Sequence, residues 1–543
     1  MDVSSKNNNL RFDFIVIGGG SAGCVLANRL SEDPRNTVLL LEAGGAGRDP
    51  LYDLPFIAGK LFELKRNNWA FQSEPQQNLN GRRMYFPRGK MLGGSFIFNG
   101  AQYIRGNASD FDHWRQLGNA GWSYEDVLPY FKKSEQYEGG PGRYHGADGA
   151  LPVGKPPVIS ELTRAYLEAC GQAGYRSNAD FNGALQEGFG IYDFNIRHGR
   201  RVTTAKAFLR PAMRRSNLRV ETGALAARLV LERGEATGVE FMQGGRTRHA
   251  YANREIVLAA GSFNSPKLLM LSGIGDASRL AEHGIGVQLA LPGVGKNLQD
   301  HVNISVAYEA TKPLSFARTL RWHTLTAEMA KAILLKKGQI TRSPLEAGGF
   351  FSTGPGAAAP ECQAVFIPYY PGKGLKVRVP WADPMEGHSF VVHVWPNRPE
   401  SRGFLSLRSP DPAAPPVFDP CFLTSESDLR LTRDALRITR KILQQEALSP
   451  YRGEELAPGA DIRSDDELDT YIKTSAGIGH HTCGTAKMGQ DPMAVVDARL
   501  RVHGIDRLRI ADASIMPTMV SGNTNAATIM IAEKAAAMML SRP

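Results

Sequence analysis

An α/β protein built around a nucleotide-binding sheet is predicted by three observations. The run Asp13-Phe14-Ile15-Val16-Ile17 is apolar and β-rich, as expected for a strand buried on both faces. Gly18-x-Gly20-x-x-Gly23 follows at once and opens a segment, residues 25–30, that reads as helix. A second apolar run, Thr37-Val38-Leu39-Leu40-Leu41, ends in Glu42, 24 residues after Gly18, where a ribose ligand belongs. The first glycine makes the tight turn, the second lets a pyrophosphate approach the backbone, and the third lets helix pack on strand. The phosphates then sit on the helix N-terminus. Alone, Glu42 would read as a solvated strand end. In this order it completes a dinucleotide site that does not by itself separate NAD from FAD.

Bulk properties agree with a large globular enzyme. The chain has 543 residues, 42% hydrophobic and 22% charged, which excludes global disorder. Net charge is +10, but the basic residues are scattered, and the densest stretch, from Arg197 to Arg201, lacks interleaved aromatics. No nucleic-acid partner is expected. Five cysteines (Cys24, Cys170, Cys362, Cys421, Cys483) lie at least 59 positions apart, so no metal site is expected and a reducing compartment is. The N-terminal stretch 1–9 is polar with no signal-peptide core, and no apolar run approaches the ~20 residues a membrane span needs. The expected location is cytoplasmic.

Further along, Arg254-Glu255-Ile256-Val257-Leu258-Ala259-Ala260-Gly261 reads as a strand ending in small residues, as a ring system lying against it would require. Ser265-Pro266 is expected to start a helix, with serine as cap and proline in the first turn. Leu429, Leu436 and Leu443 recur every seven residues and predict an amphipathic helix over 427–445. Its other face carries Arg430, Arg433, Arg437 and Arg440, expected to be solvated.

Gly89-Lys90-Met91-Leu92-Gly93-Gly94-Ser95 with Asn99, the block 261–275, Gly293-Val294-Gly295-Lys296-Asn297-Leu298-Gln299-Asp300-His301, His481-Thr482-Cys483-Gly484-Thr485 and the stretch from Ala511 to Glu533 occur in this order. Together they resemble the signatures of the glucose–methanol–choline (GMC) oxidoreductases, in a bacterial choline and alcohol dehydrogenase-like branch. The resemblance spans nearly the whole chain. It implies a Rossmann-like FAD-binding domain (residues 10–60, 85–155, 200–305 and 485–543) interleaved with an antiparallel-sheet substrate domain (156–199 and 306–484). It further implies FAD contacts at Gly18, Gly20, Gly23 and Glu42, at Gly93, Gly94 and Asn99, at Ala226, and at Asp512, Ala513, Asn525 and Thr528. The alternative reading of Asp512 is a helix cap or turn residue. Some relatives attach the flavin covalently through a histidine just before the asparagine; here that slot is Phe98, so FAD is expected to be non-covalent.

The resemblance also implies a catalytic pair. Neighbours in extended chain face opposite ways, so at most one of His480 and His481 is expected to face the flavin. Counting back from Gly484-Thr485 selects His481 as the acid/base, and His480, where relatives often hold an aromatic, is expected to line the pocket. Thr482 stands where a proline usually follows. Counting back three from Thr528 selects Asn525 as the partner and leaves Asn523 as a turn residue. A histidine takes the hydroxyl proton near neutral pH, while an amide orients the hydroxyl so that the carbon hydrogen faces the flavin. The implied activity is FAD-dependent oxidation of an alcohol, a primary one favoured, to the carbonyl, with dioxygen or a quinone-like carrier as acceptor. A GMC-fold lyase or photodecarboxylase is the alternative. Choline would need a carboxylate near the flavin, for which Glu346 is a candidate. Where relatives carry a serine-rich run, this chain reads Ser95-Phe96-Ile97-Phe98-Asn99; the two rings either fill core or narrow the substrate pocket.

Overall fold

The computed structural model describes residues 10–57, 61, 65–370, 379, 383 and 385–541; the polar stretch 1–9 lies outside them. The first strand, β1 (Leu10–Ile17), has its last four residues fully buried, which is what a run without polar alternation requires. Helix α1 (Ser21–Leu30) begins four residues earlier than its apolar pattern suggests, because Gly20 already serves as its N-cap. Strand β2 (Val38–Glu42) is buried throughout. Parallel pairing joins β1 to β2, and β2 to β3 (Leu218–Thr222). Beyond β1 the sheet continues through an antiparallel meander of β4 (Ala224–Glu232), β5 (Glu235–Gln243) and β6 (Arg246–Leu258), giving the order β3-β2-β1-β6-β5-β4. Strand β6 is longer than the sequence suggests, since its first half belongs to the meander and its second half pairs in parallel with β1 and Leu508–Ile510. The Rossmann-like sheet is therefore assembled from chain segments nearly 500 residues apart.

A second seven-stranded sheet carries the other wall of the molecule. Its central strands, β7 (Val302–Ala310), β8 (Ala347–Phe351), β9 (Cys362–Ile367) and β10 (Ser389–Pro396), pair antiparallel in the order β7-β10-β9-β8. Gly188–Ile191 adds at the β8 edge and Arg452–Ala457 at the β7 edge. All five cysteines are free.

Two helices differ from expectation. Helix α2 spans Gly261–Leu271, so Pro266 lies inside it rather than at its start, and Ser265 is not the cap. The carbonyl of Ser262, which would accept from position 266 if that residue had an N–H, accepts from the Thr485 hydroxyl instead (2.6 Å). The amphipathic segment forms a helix at Glu426–Leu443 with Leu436 and Leu443 fully buried. Of its arginines Arg430 is exposed as expected, but the other three are engaged in ion pairs. Arg433 pairs with Asp469 (2.9 Å), Arg440 with Glu455 (2.6 Å), and Arg437 with Asp465, which ties the helix to its neighbours rather than to an external anion.

Candidate active site

Where β1, β2 and β6 end, the chain encloses a cavity of roughly 640 Å³ that runs between the two sheets. At one end lie Gly18, Gly20 and Glu42, with Ala226 across from them. Gly18 sits at φ 106°, open to glycine alone at little cost. Gly23 stands behind this wall; a Cβ there would meet the Gly18 carbonyl oxygen at 1.8 Å, so its role is the close packing of α1 on β1. Gly93 is likewise behind the wall, at φ 98°, whereas Gly94 lines it, and a Cβ on Gly94 would lie 2.7 Å from Gly20 Cα. The two glycine loops thus touch backbone to backbone. Glu42 accepts from the amides of Gly19 (2.8 Å) and Gly44 (2.7 Å).

The donor set suits a dinucleotide that carries a diphosphate. Helix α1 and the last helix, α3 (Thr524–Leu540), both point their N-termini at the cavity, and neither has a side-chain cap bond or an acid in its first turn. Unsatisfied amides at such ends bind anions. Asn525 belongs to this group. Its Oδ1 accepts from Ser21 Oγ (2.7 Å) at the start of α1, and its buried Nδ2 has no partner within the protein. Asp512 fulfils its cap reading, taking Gly261 N (2.9 Å), Ser265 Oγ (2.6 Å) and Ser514 N (2.8 Å), while it and Ala513 also line the cavity. Thr528 lines it too, with its hydroxyl returned to the Thr524 carbonyl (2.8 Å). Asn99 is held by Ala101 N (2.9 Å) and the buried Arg201 (2.6 Å).

At the middle of the cavity, His481 Nε2 lies 3.1 Å from Asn523 Nδ2. This corrects the pairing with Asn525. Asn523 is the N-cap residue of α3 and keeps extended backbone, so its side chain turns toward His481; Asn525, one step inside the helix, turns toward α1. The expectation that His480 and His481 face opposite ways also fails. His480 adopts φ 63°, which breaks strand alternation, and both imidazoles line the cavity. Arg88 donates to the His480 carbonyl (2.9 Å) and helps to hold this turn.

His301 and Asp300 escape the sequence-based reading although they sit in a quoted block. His301 Nε2 lies 2.8 Å from the Asn397 carbonyl, which can only accept, so Nε2 carries the proton. Burial holds His301 down to about 4, hence neutral, and its Nδ1 is then an acceptor. The Nδ1–Nδ1 contact of 2.8 Å to His481 therefore requires His481 Nδ1 to carry the hydrogen. That leaves the lone pair of His481 at Nε2, facing the cavity, with the Asn523 amide donating to it. Asp300 accepts from the backbone amides of both His481 (2.7 Å) and His301 (2.8 Å) and so fixes the two rings' separation. Burial raises Asp300 to about 7 against the opposing pull of Arg88. Burial first, then His301, His480 and Arg88, hold His481 well below 6.5.

The far end is apolar. Phe316, Leu345, Val365, Ile367, Tyr369 and Trp395 line it, and Phe98 and Phe96 close it toward the glycine loops. Both phenylalanines are nearly inaccessible, Phe96 within the main core and Phe98 in a small cluster with Tyr52, Met91 and Ile97. They fill core and border the cavity together. The only carboxylates on the described wall are Glu42 and Asp512, both already satisfied. Glu346 is not on it. It is fully buried and accepts from Ser160 N (2.9 Å) and Thr163 Oγ1 (2.6 Å), capping the helix Glu161–Gln172.

Comparison with known proteins agrees with this construction. The GMC oxidoreductase family's N-terminal profile matches residues 12–303 and its C-terminal profile residues 399–532. An oxygen-dependent choline dehydrogenase of Rhizobium etli is 45% identical over 98% of this chain and 96% of its own. The mitochondrial choline dehydrogenase of Homo sapiens is 44% identical, over 98% and 90%. Among solved structures, pyridoxine 4-oxidase from Mesorbium loti superposes with a TM-score of 0.87 at 33% identity, covering 97% of this chain and 98% of that one.

Proposed function

The chain belongs to the GMC oxidoreductase family, and from that premise we propose that His481 and Asn523 together carry out its FAD-dependent oxidation of an alcohol to the carbonyl. The observation that carries the reading is the directed hydrogen-bond chain from the Asn397 carbonyl through His301 and His481 to Asn523. It leaves one imidazole lone pair in the cavity with an amide beside it. Without substrate the Asn523 amide fills that lone pair. The alcohol hydroxyl takes its place, so that His481 Nε2 accepts the hydroxyl proton while Asn523 Nδ2 donates to the hydroxyl oxygen and orients it. His301 acts through His481 by fixing its tautomer, and Asp300 fixes the distance between the two rings. When bound, FAD supplies the two-electron acceptor for the hydride that leaves the alcohol carbon.

The FAD is held without a covalent bond, since Phe98 occupies the slot of the attaching histidine. Gly18, Gly20 and Gly94 admit it closely, with Gly23 and Gly93 supporting them from behind. Glu42, Ala226, Asn99, Asp512, Ala513 and Thr528 bound its site, and the two open helix N-termini, with the Asn525 amide, supply donors. This assignment carries with it the division into a dinucleotide domain and an interleaved substrate domain.

The preferred alcohol is neutral, apolar and primary. The far chamber offers rings and branched aliphatics, and the basic residues on the described wall are the cations Arg88 and Lys267 and the histidines. Among the described lining residues a quaternary ammonium would meet no carboxylate beyond Glu42 and Asp512, both already bonded, to offset its lost hydration. The acceptor that follows is dioxygen or a quinone-like carrier. The experiment is anaerobic mixing of the holoenzyme with benzyl alcohol, hexanol and choline while flavin absorbance is followed, then admission of oxygen. Bleaching by the apolar alcohols at lower concentrations than by choline supports the reading; preference for choline overturns the substrate class, and no bleaching by any alcohol overturns the reaction.

A further inference from the structure

The helix Trp322–Leu334 leaves an apolar surface uncovered beside the substrate chamber. Trp322 is 50% exposed at one end, and Ile333, Leu334 and Leu335 are 60%, 78% and 63% exposed at the other. An apolar prong of three consecutive residues at this exposure is not ordinary surface scatter. The inner face of the same helix is well packed: Leu325, Met329 and Ala332 join a cluster with Phe56, Phe316 and Tyr369, all three of which line the cavity. The exposed face is therefore one helix thickness from the chamber.

Charge tells what covers it. Between residues 311 and 345 the chain carries seven Lys and Arg (Lys312, Arg318, Arg321, Lys331, Lys336, Lys337, Arg342) and one acid, Glu328. Glu328 is buried and already bonded to Lys331 and to the Gln339 amide. The prong is thus bracketed by Lys331 on one side and the exposed Lys336 and Lys337 on the other. A second copy of the chain would bring like charges together across this face. No helix among the described residues is long and apolar enough to cross a membrane, so a spanning role is excluded for them.

We infer that this helix docks the enzyme on the surface of a lipid bilayer containing anionic lipids. Trp322 and the Ile333-Leu334-Leu335 prong enter the boundary between headgroups and acyl chains, and the lysines meet the lipid phosphates. With roughly 18 Å between Trp322 and Leu334 along the axis, the helix lies flat on the surface and brings the Phe316 wall of the chamber next to lipid.

The test is flotation of the holoenzyme with vesicles of phosphatidylcholine alone or mixed with phosphatidylglycerol, at low and high salt. The wild type is expected to float with the mixed vesicles, and much less at high salt or with phosphatidylcholine alone. Leu334→Glu with Leu335→Glu, and separately Lys336→Glu with Lys337→Glu, should each lower vesicle binding by about tenfold or more. Flavin content and turnover of a soluble alcohol with a dye acceptor should stay unchanged in both, which also shows that the variants fold. Failure of the wild type to float at low salt overturns the proposal. So does unaltered flotation of the variants, or a dimer in solution that the leucine variant splits, which would give the face to a second copy.

Discussion

Around Gly18 and Glu42 the cavity wall is backbone, held by glycines whose Cβ atoms would collide and by amides that bond a single carboxylate. Around His481 it is side chains, contributed by segments near residues 300, 396, 481 and 523 that meet only in the folded chain. The first kind of site is written in a short window of sequence, because the spacing of the glycines is itself the geometry. The second kind depends on which way each side chain turns, and that is decided by tertiary packing.

This contrast predicts different failures in the two regions. The largest effect should come from the backbone side: Gly23→Ala puts a Cβ at 1.8 Å from the Gly18 oxygen, a clash that neither element can relieve. The purified variant should contain no FAD, read as its flavin-to-protein ratio. A normal ratio would break the claim that this wall has no slack. Next comes His481→Ala, which should keep its FAD yet slow flavin reduction by about 10²–10⁴-fold, the range for a lost acid/base group. Loss of FAD here would show that the two regions are not separable.

What could be read in advance follows the same line. The fingerprint, Glu42, the buried strands and the cap at Asp512 were legible because each is local. The distance to Gly484-Thr485 selects His481 over His480, and it is His481 whose Nε2 lies 3.1 Å from Asn523 Nδ2. Asn523 was not, because a count along the start of a helix does not reveal that the N-cap residue and the residue two positions on turn to different neighbours. His301 and Asp300 were hidden for a related reason. Their block carries no spacing that points to His481, and only the pairing of Gln299 with Cys483 brings it alongside that residue. The carboxylate expected of Glu346 failed because the residue is buried off the cavity wall, with its Oε2 taken by Ser160 N and Thr163 Oγ1.

Smaller effects sharpen the comparison within the side-chain region. Phe98→Ile and Phe96→Ser should shift the ranking of linear, branched and aromatic alcohols by several-fold in relative kcat/KM, since one methylene in an apolar pocket is worth ~10-fold or more. An unchanged ranking in both would leave the rings as core alone. The smallest effect is on pH. His481 works neutral, and its folded value is lowered, so activity is present above that value and lost as pH falls through it. The acid limb of kcat/KM should therefore lie below pH 6.5, with the plateau still intact there; a limb centred at or above 6.5 would contradict the burial of this ring.

The most direct test of the His481–Asn523 centre is anaerobic single-turnover reduction of the flavin in two variants that differ by two positions. Asn523→Ala should retain FAD and lose about 10-fold or more in the reduction rate, as expected when an orienting group is removed. Asn525→Ala should reduce at nearly the wild-type rate once saturated with FAD, but bind FAD more weakly. The reverse pattern, with Asn525→Ala slow at full FAD occupancy and Asn523→Ala unaffected, would contradict the pairing and return the catalytic role to Asn525.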